Sequence, residues 1–196
     1  MTHPAILTYG QTVQKEFPLI MIIGREPNNS TMSDSSFGEY KFEDFPNCAF
    51  WNQSFGLLAS YNSKTTFEIK QLFQRVKSSP IIFTDASPKG IPNKEVNKKQ
   101  FRNLLTTDEF QHQVDTIFSN ARLISRVKLI FLSGLTDFSF SNFTNQLSNR
   151  ALQHSISTKE IPFLFGNNVP KIKTQMTDKE IQILQSVFQE FIKVDK

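Results

Sequence analysis

Three short apolar runs punctuate the chain: Leu19-Ile20-Met21-Ile22-Ile23, Ile81-Ile82-Phe83 and Val127-Lys128-Leu129-Ile130-Phe131-Leu132. Each is shorter than a buried helix needs to be and is closed by turn-forming residues. Near-continuous aliphatic runs of this length read as strands buried on both faces, as in a parallel sheet. A fourth, weaker strand is expected either at Ile161 to Phe165 or just before it, at Leu152 to Ser155. Between the runs lie helical patterns with legible starts. Thr65 with Glu68, Thr106 with Glu109, and Thr177 with Glu180 each have the spacing of a capping box. After Thr177 the positions Ile181, Leu184, Phe188, Phe191 and Ile192 form one apolar stripe, so a C-terminal helix is expected. Further helices are expected over 50–61 and 110–121. Strands alternating with helices predict a doubly wound α/β fold: a central parallel sheet of about four strands, helices on both faces, and functional groups in loops at the carboxyl ends of the strands.

At 196 residues and 38% apolar content the chain fits one globular domain, 1–196, with no internal repeat and no linker that divides it. The net charge of +4 favours an anionic partner such as nucleic acid, though it falls short of a DNA-coating protein. The lone Cys48 makes no internal disulfide, and no Cys/His cluster has zinc spacing, so a reduced, cytoplasmic setting without metal or other cofactor is expected. No run approaches the ~18 apolar residues of a membrane span, and no secretory leader is legible. A monomer is expected.

Chemistry concentrates in two stretches. Gly24-Arg25-Glu26-Pro27-Asn28-Asn29-Ser30 follows the first run directly. Gly permits a sharp turn, Pro stiffens the exit, and the carboxylate between them leaves the strand's carboxyl end, where it can orient or deprotonate a water. Alone, these residues also fit a plain strand-ending turn with a solvated Glu. Farther on, Pro46-Asn47-Cys48-Ala49-Phe50-Trp51 is a Pro-Asn turn running into a Phe-Trp helix start.

In order and spacing this pair of stretches resembles the uracil-DNA glycosylase superfamily, nearest to its mismatch-specific uracil/thymine branch. There a Gly-Ile-Asn-Pro-Gly loop is followed about twenty residues on by an Asn-x-Phe-Trp helix start. The resemblance implies that Gly24, Arg25, Pro27, Asn28 and Asn47 contact the substrate and that Phe50 is the platform on which an extruded base stacks. Asp85 falls where several branches of the superfamily carry an Asn that reads the base edge. An ionised carboxylate only accepts hydrogen bonds, so it suits a base with an exocyclic amine or a protonated edge better than uracil. Asp85 is equally placed to be an N-cap before Ala86-Ser87-Pro88. The last motif of the superfamily is matched by Leu152-Gln153-His154-Ser155, with the Pro missing. In that role His154 stabilises the departing base and Ser155 contacts substrate; otherwise His154 is a surface residue beside a strand. Glu26 stands where the family has Asp or Asn, and Asn28 replaces a Gly.

The implied activity is hydrolysis of the N-glycosidic bond of a damaged or deaminated base in DNA, with Glu26 and His154 catalytic and no cofactor. A non-catalytic relative that binds a nucleobase-like ligand or a protein partner is the alternative, and a small-molecule hydrolase using Glu26 and His154 as an acid/base pair is a third. Loop cations Arg25, Lys89, Lys94, Lys98, Lys99, Lys159, Lys171 and Lys173 are candidates to track phosphates. Ser30 to Glu39 and Ser87 to Lys99 are expected as polar loops.

Overall fold

The computed structural model describes residues 6, 8–25, 49–88, 105–162 and 169–193. In these residues the chain runs β1 (Leu19–Gly24), α1 (Ala49–Ser60), α2 (Thr66–Val76), β2 (Ile81–Asp85), α3 (Thr107–Ser119), the short α4 (Ala121–Ile124), β3 (Val127–Ser133), a 3-10 turn (Phe138–Phe140), α5 (Ser141–Gln153), β4 (Ser157–Ile161), α6 (Val169–Gln175) and α7 (Asp178–Lys193). The four strands form one parallel sheet in the order β2-β1-β3-β4. All six residues of β1 are buried, as a strand covered by helices on both faces must be.

Two aromatic clusters mark the two helical layers. Phe55 of α1, Phe73 of α2, Phe191 of α7 and Phe17, just before β1, meet edge to face at 4.9–5.3 Å between ring centroids. Phe110 of α3 packs against Phe140 and Phe143 at the start of α5, at 6.1 and 5.9 Å. Among the described residues the high Phe content is therefore largely core: all seven of these rings are buried, and Phe55, Phe73, Phe110, Phe140, Phe143 and Phe191 fully so.

All three capping boxes are formed: the N-cap threonine oxygen accepts from the third backbone N–H, and that glutamate accepts from the threonine N–H. The fourth strand lies between the two segments expected for it. Leu152 lies in the last turn of α5 and His154–Ser155 form the following turn, whereas the strand itself is Ser-Thr-Lys-Glu-Ile. β4 is an edge strand paired only with β3, and its half-exposed position accounts for polar residues where a central strand carries an apolar run. The polar loop expected at Ser30 to Glu39 lies outside the described residues, as does that at Ser87 to Lys99 beyond Pro88.

Candidate functional site

The sheet order places a reversal of winding between β1 and β3: the chain leaves β1 for β2 on one side, then crosses to β3 on the other. In open α/β sheets the crevice at such a point, outside the carboxyl ends of the strands, is where ligands are held. Here that edge is stitched together across its width. Ala86 N–H donates to Gly24 O (2.9 Å) and Ser87 N–H to Arg25 O (2.8 Å), so the β1 and β2 ends leave the sheet side by side. Arg25 Nε donates to Gly134 O at 2.7 Å, bridging β1 to the turn after β3 where the backbones diverge. Gly134 N–H donates in turn to Ile161 O at the end of β4 (2.9 Å). Gly134 takes a φ of +69°, a left-handed turn that suits glycine.

Asp85 is the register partner of Gly24, and its side chain folds over that glycine. A Cβ placed on Gly24 would lie 2.7 Å from an Asp85 carboxylate oxygen and 3.0 Å from the Phe83 ring. The absence of a side chain at Gly24 is thus what lets the Asp85 carboxylate occupy the carboxyl edge, where it is only 9% exposed. Its backbone is anchored from the helical layer by Gln113 Nε2, which donates to Asp85 O at 2.8 Å. Gln113 was not foreseen as a contributor, because a Gln in a helix pattern reads as surface; its burial follows from α3 crossing the β2 end.

The structure brings Gly24, Arg25 and Asp85 to one edge and sends His154 and Ser155 to the other. Ser157 pairs with Leu129 near the start of β3, and Ile161 pairs with Ser133 at its end. His154 and Ser155, which precede Ser157, therefore lie at the amino edge, a strand length of roughly 15 Å along the sheet and three strand spacings across it from Asp85. His154 is exposed at the C-terminus of α5 with its ring 5.1 Å from that of Phe118. The expectation that His154 and Ser155 share a pocket with Asp85 is corrected: the strand that was to carry them outward begins after them. Glu26, Pro27, Asn28 and Asn47 lie outside the described residues, and of Phe50 only its backbone place in the first turn of α1 is described. Among the loop cations, Lys159 is on β4 and pairs with Glu180 at 3.5 Å, while Lys173 lies over the Tyr61 ring at 5.7 Å. Lys89, Lys94, Lys98, Lys99 and the Lys171 side chain lie outside the described residues.

A second residue at this edge, besides Gln113, escaped sequence reasoning. Phe138 follows the β3 turn and is 90% exposed. Asp137 caps the 3-10 turn by accepting from Ser139 N–H (3.1 Å) and Ser139 Oγ–H (2.7 Å), and Phe140 is buried, so Phe138 is fixed pointing outward between two anchors. Apolar content alone had no way to separate it from its core neighbours.

Among the described residues no group of His, Cys, Asp or Glu side chains could hold a metal ion, and no helix is long and apolar enough to cross a membrane. Fold and edge together define a doubly wound α/β protein whose carboxyl sheet edge carries Gly24, Arg25 and Asp85. The chain matches no protein-family model and no curated protein sequence.

Proposed function

We propose that the chain is a DNA glycosylase-like hydrolase that acts on a base bearing an exocyclic amine or a protonated edge. The observation that carries this reading is the Gly24–Asp85 pair: a nearly buried carboxylate, at the end of the strand that in the resembling family reads the base, closed over the glycine that opens the water-activating loop. A carboxylate fixed there accepts two hydrogen bonds from an amino group and ring N–H and rejects a carbonyl edge. Arg25, held across the switch point, supplies a fixed positive charge for a phosphate. Phe138 is suited to stack against DNA exposed by extrusion of the nucleotide.

In this reading Glu26 positions a water. The water oxygen forms a bond to the sugar C1′, the C1′–N bond breaks with its electron pair leaving on the base, and the water's proton passes to Glu26 and on to the base. The ionised Glu26 offsets positive charge developing on the sugar. His154 takes no part, so departure of the base relies on hydrogen bonds at the carboxyl edge.

The test is single-turnover incubation with oligonucleotides carrying uracil, thymine mismatches, hypoxanthine, xanthine or alkylated cytosines, followed by alkaline cleavage at abasic sites. Excision of an amine-bearing base is expected. Glu26→Gln should slow it by at least ~10²-fold with DNA affinity nearly unchanged, and Asp85→Asn should shift preference toward carbonyl-edged bases. The remote position of His154 favours a second reading, a relative that binds a base without cleaving it. Binding of a modified oligonucleotide with no excision from any substrate would select that reading.

A further inference from the structure

At the amino edge of the sheet, opposite the proposed crevice, lies a groove of about 890 Å³ between the β1 and β3 starts, the turn before β4 and α7. Arg126, Lys128 and Lys179 line it. Arg126 is 7% exposed; its Nε donates to Phe17 O (2.9 Å) and its Nη1 to Thr12 O (3.0 Å), while Nη2 is buried without an acceptor among the described residues. The guanidinium lies 5.0 Å from the Phe17 ring centroid, and no carboxylate pairs with it among the described residues. Its charge is met in part by the nearby Glu16, in a setting where screening is weak. Burial holds it below its ordinary pKa, the proximity of Glu16 opposing that in part, yet a guanidinium stays charged.

Lys128 and Lys179 are exposed and form no ion pair among the described residues. The two carboxylates on the rim are occupied elsewhere: Glu16 by Arg122 at 3.2 Å, and Glu190 by Lys193 at 2.5 Å. Ser155 and Ser157 line the same groove, and Phe17, Ile183 and Val187 give it an apolar wall. Cations, serines and an apolar wall in one concavity match a compact anion with an apolar body. A nucleic-acid backbone, which needs cations spread along a track, fits it less well.

We propose that this groove is a binding site for a small phosphomonoester, its phosphate held by Lys128 and Lys179 above the Arg126 charge and its apolar body against Phe17 and Val187. The proposal does not depend on glycosylase chemistry at the other edge. The test is titration of the full chain with phenyl phosphate, inorganic phosphate, phenol and a short DNA duplex, followed by amide resonances and calorimetry. Phenyl phosphate is expected to bind saturably and more tightly than phosphate or phenol, moving the resonances of Ser155, Ser157 and Lys179 and leaving Gly24 and Asp85 in place. The double variant Lys128→Ala/Lys179→Ala, at two exposed positions, should fold as wild type and lose at least about tenfold in affinity, the scale of one charge-assisted hydrogen bond. The proposal is overturned if phenyl phosphate moves none of these resonances, if the double variant binds within about twofold of wild type, or if only the DNA duplex moves them.

Discussion

The geometry at Gly24 turns on a single missing carbon. With Asp85 Oδ1 2.7 Å and the Phe83 ring 3.0 Å from where a Cβ would stand, Gly24→Ala must push the carboxylate out of its place or shift the strand ends. Overpacking of this kind costs roughly 1–3 kcal/mol. If the carboxylate is the principal obstacle, Asp85→Ala should relieve most of that cost. A double-mutant cycle read by urea denaturation should then return a coupling above about 0.5 kcal/mol. Additive effects of Gly24→Ala and Asp85→Ala would mean that the two side-chain positions do not meet, and would remove the observation on which the proposed function rests. Sequence pattern exposed half of this arrangement. A Gly after an apolar run signals a turn, and an Asp ending another signals a cap or a ligand, but their adjacency depends on parallel register, which no local pattern encodes.

At the scale of elements, the helices that open with a capping box were legible, and so was α1, whereas α5 was not. α5, Ser-Asn-Phe-Thr-Asn-Gln-Leu-Ser-Asn-Arg-Ala-Leu-Gln, begins without a side-chain cap and is rich in Ser, Asn and Thr, residues that compete with helical hydrogen bonding. It is held instead by Phe143, Leu147 and Ala151, buried four residues apart against the α3 layer. Missing that helix displaced the fourth strand in the sequence reading, and with it the placement of His154. The capped helices carry a pH signature. Glu68 accepts from Thr65 N–H at 2.7 Å and from Thr65 Oγ–H at 2.9 Å, and these bonds, helped by Lys64, hold its carboxyl below the ordinary glutamate pKa. Asp115 is lowered likewise, first by Gln111 and then by Arg150. A folded-state pKa below the unfolded one means that the unfolded chain binds more protons in between. The contribution to stability is therefore present above the unfolded pKa and lost as pH falls through the lowered folded value. Urea midpoints of wild type and Glu68→Gln, compared from neutral to acid pH, should converge as the pH drops. A difference that stays constant would show that the carboxylate charge plays no part in the cap.

Across the whole molecule, the two edges of one four-stranded sheet carry different equipment. The carboxyl edge has a nearly buried carboxylate, a bridging arginine and an outward phenylalanine. The amino edge has a buried arginine with no ion-pair partner among the described residues, and a groove. His154 belongs to the second edge, and this separates two mechanisms that the resemblance to the glycosylase superfamily alone leaves fused. If His154 stabilised the departing base, its loss would slow excision by about 10²-fold or more, as removal of a positioned electrostatic group does. Because parallel strands carry Asp85 more than roughly 15 Å away, a base read by Asp85 is out of its reach. His154→Ala should therefore excise within about twofold of wild type in single turnover. Its effect should fall on stability alone, through loss of the ring contact with Phe118. A steep loss of excision with an intact thermal transition would instead mean that the base is not read at Asp85 and that the amino edge holds the reacting group.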